Sequence, residues 1–365
     1  MTGGVALYCI IAGAQVQAAG LPVPCSGGAC AGGPAAWVTQ GIATSVTSAG
    51  GSQLDINQAT EKAVLNWAEF NVAAGNKVNF NQPGRNSLAL NKIFQGDPSK
   101  IFGSVTANGQ IYLINQNGIL FGRDSQVNVG ALIASSLAID PEAESGGILN
   151  PALLREGKPA FQVAIGADGQ PVPGGIVVEE GARISTAAGG GSVALLGQQV
   201  ENAGTIESPS GQVILAAGQK VYLQASDDPN LRGLLVEVDA GGTAWNKATG
   251  QIASTLGNVS MVGLAVNQDG RVSATTSVQS SGSVRLLARD SVTVSLSTNL
   301  QPTLATSQAG TVAFGAGSRT EIGIDPVTAA KTAVVDQPQP KSSVEVVGRQ
   351  IEMRYGSSWL LTLIL

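Results

Sequence analysis

The chain has 365 residues, long enough to bury a sizeable core in one large domain or two ordinary ones. Gly fills 48 positions without a G-X-Y period, which excludes collagen; 43% hydrophobic content with only 12% charged residues excludes wholesale disorder. Net charge is −5 with no basic stripe, which excludes a nucleic-acid partner, and the absence of any His removes Ser-His-Asp, Cys-His and His-ligated metal chemistry.

Residues 1–19 read as an export signal. Positions 5–14 ("VALYCIIAGA") are apolar and too short to span a bilayer. Small residues follow, with a cleavage site near Ala18 or Ala19. The first eight positions hold no Lys or Arg, so the n-region is atypical or truncated. Cys9 would leave with the signal. Cys25 and Cys30 remain in "CSGGAC", where a small local disulfide and two idle thiols are both open. The stretch 20–52 is rich in Gly, Pro and Ser, and reads as loosely ordered chain or a short cap. From 54 to 80 the pattern alternates in strand fashion ("LDINQ", "AVLNWAEFNV", "KVNF"). Ala63, Trp67 and Phe70 would share a helical face, but the flanking β patterns favour a strand.

Two turn-rich stretches follow. "NFNQPG" places Asn79, Asn81, Gln82 and Pro83 where either a turn or a contact surface fits. In "NGQIYLINQNGILFG" (108–122), Asn-Gly is the preferred pair of type I′ turns. It predicts a hairpin of 111–114 and 119–121 around Asn117 and Gly118. The acidic stretch "DPEAESGG" carries Asp140, Glu142 and Glu144 without the dense oxygen ligands of a calcium loop, and reads as a solvated loop. No metal or cofactor site is expected.

The second half repeats a Gly-x-Val-x-Leu pattern at Val193, Val213, Val259, Val284, Val312 and Val344, with "LLVEV" (234–238) midway in the longest step. A period of 20–25 residues with short strands predicts an all-β parallel β-helix. About 13 turns at the ~4.8 Å strand spacing would make a shaft roughly 60 Å long, capped at its N-terminal end by 20–80.

The stretches "AVLNWAEFNVAAGNKVNFNQPGRNSLALNKI", "GDPSKIFGSVTANGQIYLINQNGILFG" and "VNVGALIASSL" together resemble a known exoprotein domain. It is the N-terminal secretion domain, or haemagglutination activity domain, of filamentous haemagglutinin-like two-partner secretion proteins. The resemblance implies a secretion domain over 35–140 and β-helix repeats over 141–365, cut short at the C-terminus. It implies a right-handed parallel β-helix formed outside the cell. Sec machinery would carry the chain into the periplasm of a Gram-negative bacterium, and a dedicated outer-membrane transporter would release it, secreted or at the cell surface. The cargo expected is a non-enzymatic adhesin or haemagglutinin that meets a host or neighbouring cell. The alternatives are the export portion of a contact-dependent inhibition toxin or haemolysin, and a polysaccharide-active β-helix enzyme. The family's Asn-Pro-Asn-Gly element falls on Asn115, Gln116, Asn117 and Gly118, with Gln in place of Pro. Those four residues, with Asn79, Asn81, Gln82 and Pro83, are the expected turn or transporter-recognition positions.

Overall fold

The computed structural model describes residues 20–26, 30, 33–186, 190–226, 228, 233–277, 280–297, 302–327 and 341–361. The expected signal lies outside them.

Apolar residues at alternate positions let each short strand bury one side chain in two. The chain exploits this by winding, so that successive strands fall on three different sheets. In the third coil, Ser104–Ala107 lies on one sheet, Gln110–Ile114 on the next and Ile119–Phe121 on a third. Each strand pairs in parallel with its counterparts one coil before and one coil after. Gln110–Ile114, for example, sits between Leu88–Ile93 and Ala131–Ser135 in unbroken register. The molecule is a parallel β-helix. We call the sheets containing Gln110–Ile114, Ile119–Phe121 and Ser104–Ala107 the first, second and third.

The inner column of the first sheet runs Ala63, Ala89, Ile111, Leu132, Val193, Val213, Val259, Val284, Val344. All but the last are buried, and they belong to one continuous core. Burial of a Val or Leu is worth about 1.5–3 kcal/mol relative to exposure, so like-on-like stacking along the shaft is the main source of its stability.

The N-terminal edges are covered by antiparallel strands. Val23–Pro24 and Val38–Gln40 pair with Lys62–Glu69, and Ala43–Thr47 pairs with Gln53–Gln58. The ambiguous segment around Trp67 is a strand, with Ala63, Leu65 and Trp67 turned inward.

Three sequence expectations need correction. The first sheet has 11 strands, of which the two antiparallel ones just named leave nine coils among the described residues, not about 13. Two of the repeat copies are not first-sheet coil strands. "LLVEV" is not a coil strand: Leu234–Asp239 pairs antiparallel with Lys220–Ala225 as a hairpin laid over the outer face of the first sheet. Val312 belongs to the second sheet, stacked on Val266, so the true step in the first sheet is from Val284 to Val344. Long steps arise because insertions leave the coil at one corner, after Ala131–Ser135, Gln212–Ala217 and Ser283–Ala288.

The third correction is the acidic stretch. It forms a helix, α1 (Pro141–Gly146), not an open loop. Asp140 caps it by accepting from the Glu142 amide at 2.8 Å, with Pro141 at the first helical position. Glu144 pairs with Lys92 at 3.0 Å and Glu142 with Lys158 at 2.7 Å, so the three carboxylates diverge to separate partners. Among the described residues no group of three or more His, Cys, Asp or Glu could hold a metal.

With α2 (Pro151–Arg155), the pair Ala138–Ile139 and Phe161–Gln162, and the 220–239 hairpin, α1 covers the outer face of the first sheet. A second apolar core forms there. Val64, Leu90, Tyr112, Ile133, Ala194 and Ile214 form its inner side, with Leu153, Phe161, Val221 and Val238 above them.

Candidate functional site

The predicted motif residues gather on the first coils, at two corners and one sheet face. At the corner between the first and second sheets, Asn115 is fully buried. Its Nδ2 donates to the Asp97 carbonyl at 3.1 Å and to Ser99 Oγ at 3.0 Å, one coil below. Its Oδ1 accepts from the Asn117 amide at 3.0 Å, and its carbonyl accepts from the Gly118 amide at 2.9 Å. This is a β-turn over 115–118, with Asn at the first position and the Asx bond that favours it there.

The expected hairpin does not form. Gln110–Ile114 and Ile119–Phe121 lie in different sheets and pair with neighbouring coils, not with each other. In a type I′ hairpin Asn117 and Gly118 would be the two central residues; here they are the third and fourth. Asn117 is not among the positive-φ residues, whereas Gly118 has φ of +110°. A Cβ at Gly118 would sit 2.8 Å from the Gly175 carbonyl oxygen of the next coil. Gln116 occupies the second turn position, is exposed, and takes the place of the family's Pro without loss of the turn.

The second corner joins the third sheet to the first. Gln82 is buried, and its side chain is spent inside the protein. Its Nε2 donates to Gln58 Oε1, Ser87 O and Gln110 O at 3.3, 3.1 and 3.3 Å, and its Oε1 accepts from the Gly109 amide at 3.0 Å. The backbone of Gln82 holds the Asn108 side chain at both ends, at 2.8 Å each. Pro83 is exposed beside it. On the outer face of the third sheet, Asn79 bonds to Asp55 and Thr106, and Asn81 bonds to Asn57, each one coil away. Of the eight predicted positions, Asn81, Pro83 and Gln116 face solvent, while Gln82, Asn115 and Gly118 are buried.

Sequence reasoning missed Gln58, Asn71 and Gln95, which complete these corners. Gln95 Oε1 accepts from the Phe70 amide at 2.8 Å and its carbonyl accepts from Asn117 Nδ2 at 2.8 Å; Asn71 Oδ1 accepts from the Lys100 amide at 2.9 Å. The available signal was spacing: Gln58 and Gln82 are 24 residues apart, as are Asn71 and Gln95. The coil period was therefore already written in the amides of the N-terminal half.

Cys25 and Cys30 are joined as a disulfide, with Cα atoms 5.4 Å apart. The Cys25 amide donates to the Asn66 carbonyl at 3.0 Å, tying this loop to the edge of the first coil.

Farther along the shaft, a groove of about 570 Å³ follows the corner between the second and third sheets. Asp269, Arg271 and Arg319 are among its lining. Asp269 accepts from Trp245 Nε1 at 2.8 Å, and both arginines bind Glu321, so these groups serve one another.

The profile of the TPS secretion domain matches residues 35–240. The chain belongs to the two-partner secretion family. The match begins beside the strands that cover the N-terminal edge and runs through the insertions of the second core. Two heme/hemopexin-binding proteins of Haemophilus influenzae are each 32% identical to it. One aligns over 178 residues, 48% of this chain and 18% of that protein; the other over 93 residues, 26% and 10%. The chain thus spans less than a fifth of the length of these curated relatives. The crystal structure of the HMW1 secretion domain from Haemophilus influenzae superposes with a TM-score of 0.48 at 19% identity, covering 89% of this chain and 98% of that one.

Proposed function

We propose that this chain directs the export of a two-partner exoprotein of adhesin type, secreted or displayed at the surface of a Gram-negative bacterium. Sec machinery delivers it to the periplasm, and a dedicated outer-membrane transporter carries it outward. The observation that carries this reading is the secretion-domain match over 35–240. The folded form supports a division of labour among the predicted residues. Asn115, Gln82 and Gly118 shape the corners, and the exposed Asn81, Pro83 and Gln116 are the positions a transporter can touch once the coils have formed. The role is export and binding rather than catalysis, a reading supported by the absence of His.

Co-expression with the cognate transporter tests the export reading. The intact chain is expected in the medium, and a chain lacking residues 54–140 is expected to stay in the periplasm. Equal export of the two would overturn it.

A second reading of the cargo follows from the relatives' printed names. A full-length exoprotein built on this domain would capture haem or its carrier hemopexin. On this reading the chain supplies export, and the haem or hemopexin contact lies in the rest of the exoprotein. Binding of immobilised hemopexin by the full-length protein, and not by residues 20–365 alone, is the expected result. Adherence to host cells without hemopexin binding would favour the adhesin.

A further inference from the structure

We propose that Asn108 and Asn117 are self-modification sites that folding protects, each converting to aspartate and isoaspartate when the chain is held unfolded. The inference stands on the two Asn-Gly corners and does not depend on the export reading.

The chemistry needs only the chain and water. The backbone nitrogen of the following Gly, losing its proton, attacks the Asn side-chain Cγ. The Cγ–Nδ2 bond breaks, ammonia leaves with the proton, and a five-membered imide closes. Water then opens the imide at either carbonyl. One opening yields Asp; the other yields isoaspartate, in which the main chain runs through the former side chain. Glycine is the residue that admits this attack most readily, since no Cβ shields its nitrogen. Asn108-Gly109 and Asn117-Gly118 are the two Asn-Gly pairs of the chain.

In the folded protein both reacting groups are engaged at both sites. At the first, the Gly109 amide donates to Gln82 Oε1 at 3.0 Å. The Asn108 side chain is clamped by the Gln82 backbone, its Oδ1 accepting and its Nδ2 donating at 2.8 Å. The surroundings are tight, since a Cβ at Gly109 would lie 2.7 Å from both Gln82 Oε1 and Ser87 O. At the second, the Gly118 amide donates to the Asn115 carbonyl at 2.9 Å, and Asn117 Nδ2 donates to the Gln95 carbonyl at 2.8 Å. Each corner is bounded by strands paired in parallel on both sides. The Asn side chain therefore cannot swing onto the Gly nitrogen without opening a coil. An isoaspartate lengthens the main chain at a corner where successive coils must stay in register. A chain that waits unfolded thus loses its capacity to form these coils, and the two pairs record time spent unfolded.

The test incubates residues 20–365 at mildly alkaline pH, native in one arm and in urea in the other. Peptide mass spectrometry then reads amide-to-acid conversion, and isoaspartyl methyltransferase labelling reads isoaspartate. In urea both Asn108 and Asn117 are expected to convert, while Asn57, followed by Gln58, lags behind. In the native arm both are expected to be slower by about tenfold or more, because reaction must pass through the opened state. A third arm uses native Gln82→Ala, which frees the Gly109 amide, together with the Gln58, Ser87 and Gln110 acceptors, while the main chain of residue 82 still holds the Asn108 side chain. Conversion at Asn108 should rise while Asn117, the internal control, stays at its native rate. If the variant does not fold, as circular dichroism would show, the comparison of the two wild-type arms decides. Equal native and urea rates for the wild type would overturn the proposal. An unchanged Asn108 rate in a folded Gln82→Ala protein would overturn the protective role of Gln82.

Discussion

Asn115 shows how a polar side chain can be a structural element. It lies where no water reaches, and its amide satisfies a carbonyl and a hydroxyl one coil below and a main-chain amide within its own turn. Asn115→Ala leaves those partners unsatisfied and should lower stability by about 1–3 kcal/mol, read as a drop in the urea midpoint. Gln116→Pro should have the opposite sign. The second position of this turn suits the fixed φ of proline, and the constrained unfolded chain should add about 0.4–1 kcal/mol. A lowered midpoint would show that the turn is not the one described.

Glu321 belongs to the same scale. Burial raises its carboxyl, but hydrogen bonds and charge from Arg271 and Arg319 outweigh that and hold it below the ordinary value of 4.5. A carboxylate lowered in this way stabilises the fold above the unfolded value, and the contribution is lost as pH falls through the folded one. Glu321→Gln should therefore be less stable than wild type at neutral pH, and the gap should shrink in urea titrations run well below 4.5. A gap that stays constant with pH would rule out this assignment.

At the scale of elements, the insertions matter more than their length suggests. The inward columns alone would leave an apolar outer face on the first sheet. That face is covered by segments arriving much later in the chain, so coils one to four depend on residues 137–162 and 220–239. The cover is held at its N-terminal side by Lys62, which donates to the Glu144 and Ser145 carbonyls, and by the Lys92–Glu144 pair. Tyr112 reports the dryness of this second core: burial pushes its phenol up to about 12. A chain ending at residue 140 should expose Val64, Leu90, Tyr112 and Ile133, bind a hydrophobic dye and be digested rapidly. A chain ending at residue 240 should resist. Equal protease resistance of the two would show that the second core is dispensable.

On the whole molecule, stability should be graded. A solenoid sums local coil terms and interfaces between neighbours, and the second core extends these only as far as Leu287 among fully buried residues. One outer column of the first sheet turns polar a coil earlier, from Ile214 through Ser260 and Arg285 to Glu345, and the column through Val262 and Leu287 ends on the half-buried Val347. The last coil leaves Ile351, Met353 and Trp359 partly in solvent. Hydrogen exchange should be slowest in Gln110–Ile114, Ala131–Ser135, Ser192–Gly197 and Gln212–Ala217, and fastest in Ser343–Val347 and Gln350–Met353. Uniform protection along the shaft would contradict this gradient.

Fold class, the strand around Trp67, the inward residues of most first-sheet strands and the family are all legible in the amino-acid order. Each of these rests on local alternation or on contiguous motifs, which survive in one dimension. Only the tertiary structure decided that "LLVEV" leaves the shaft, that Val312 belongs to another sheet, and that Asn202, Asn246 and Gln268 stack their amides at 2.8 Å in a dry interior. A strand buried on both faces reads as the same apolar run whether it lies in a coil or in a covering hairpin. An amide in a turn reads the same whether it faces water or a neighbouring coil. Which partner each receives is set by the closure of one coil on another. For the same reason the chain places Asn115 and Gln82 at turns without revealing that their side chains also tie neighbouring coils together.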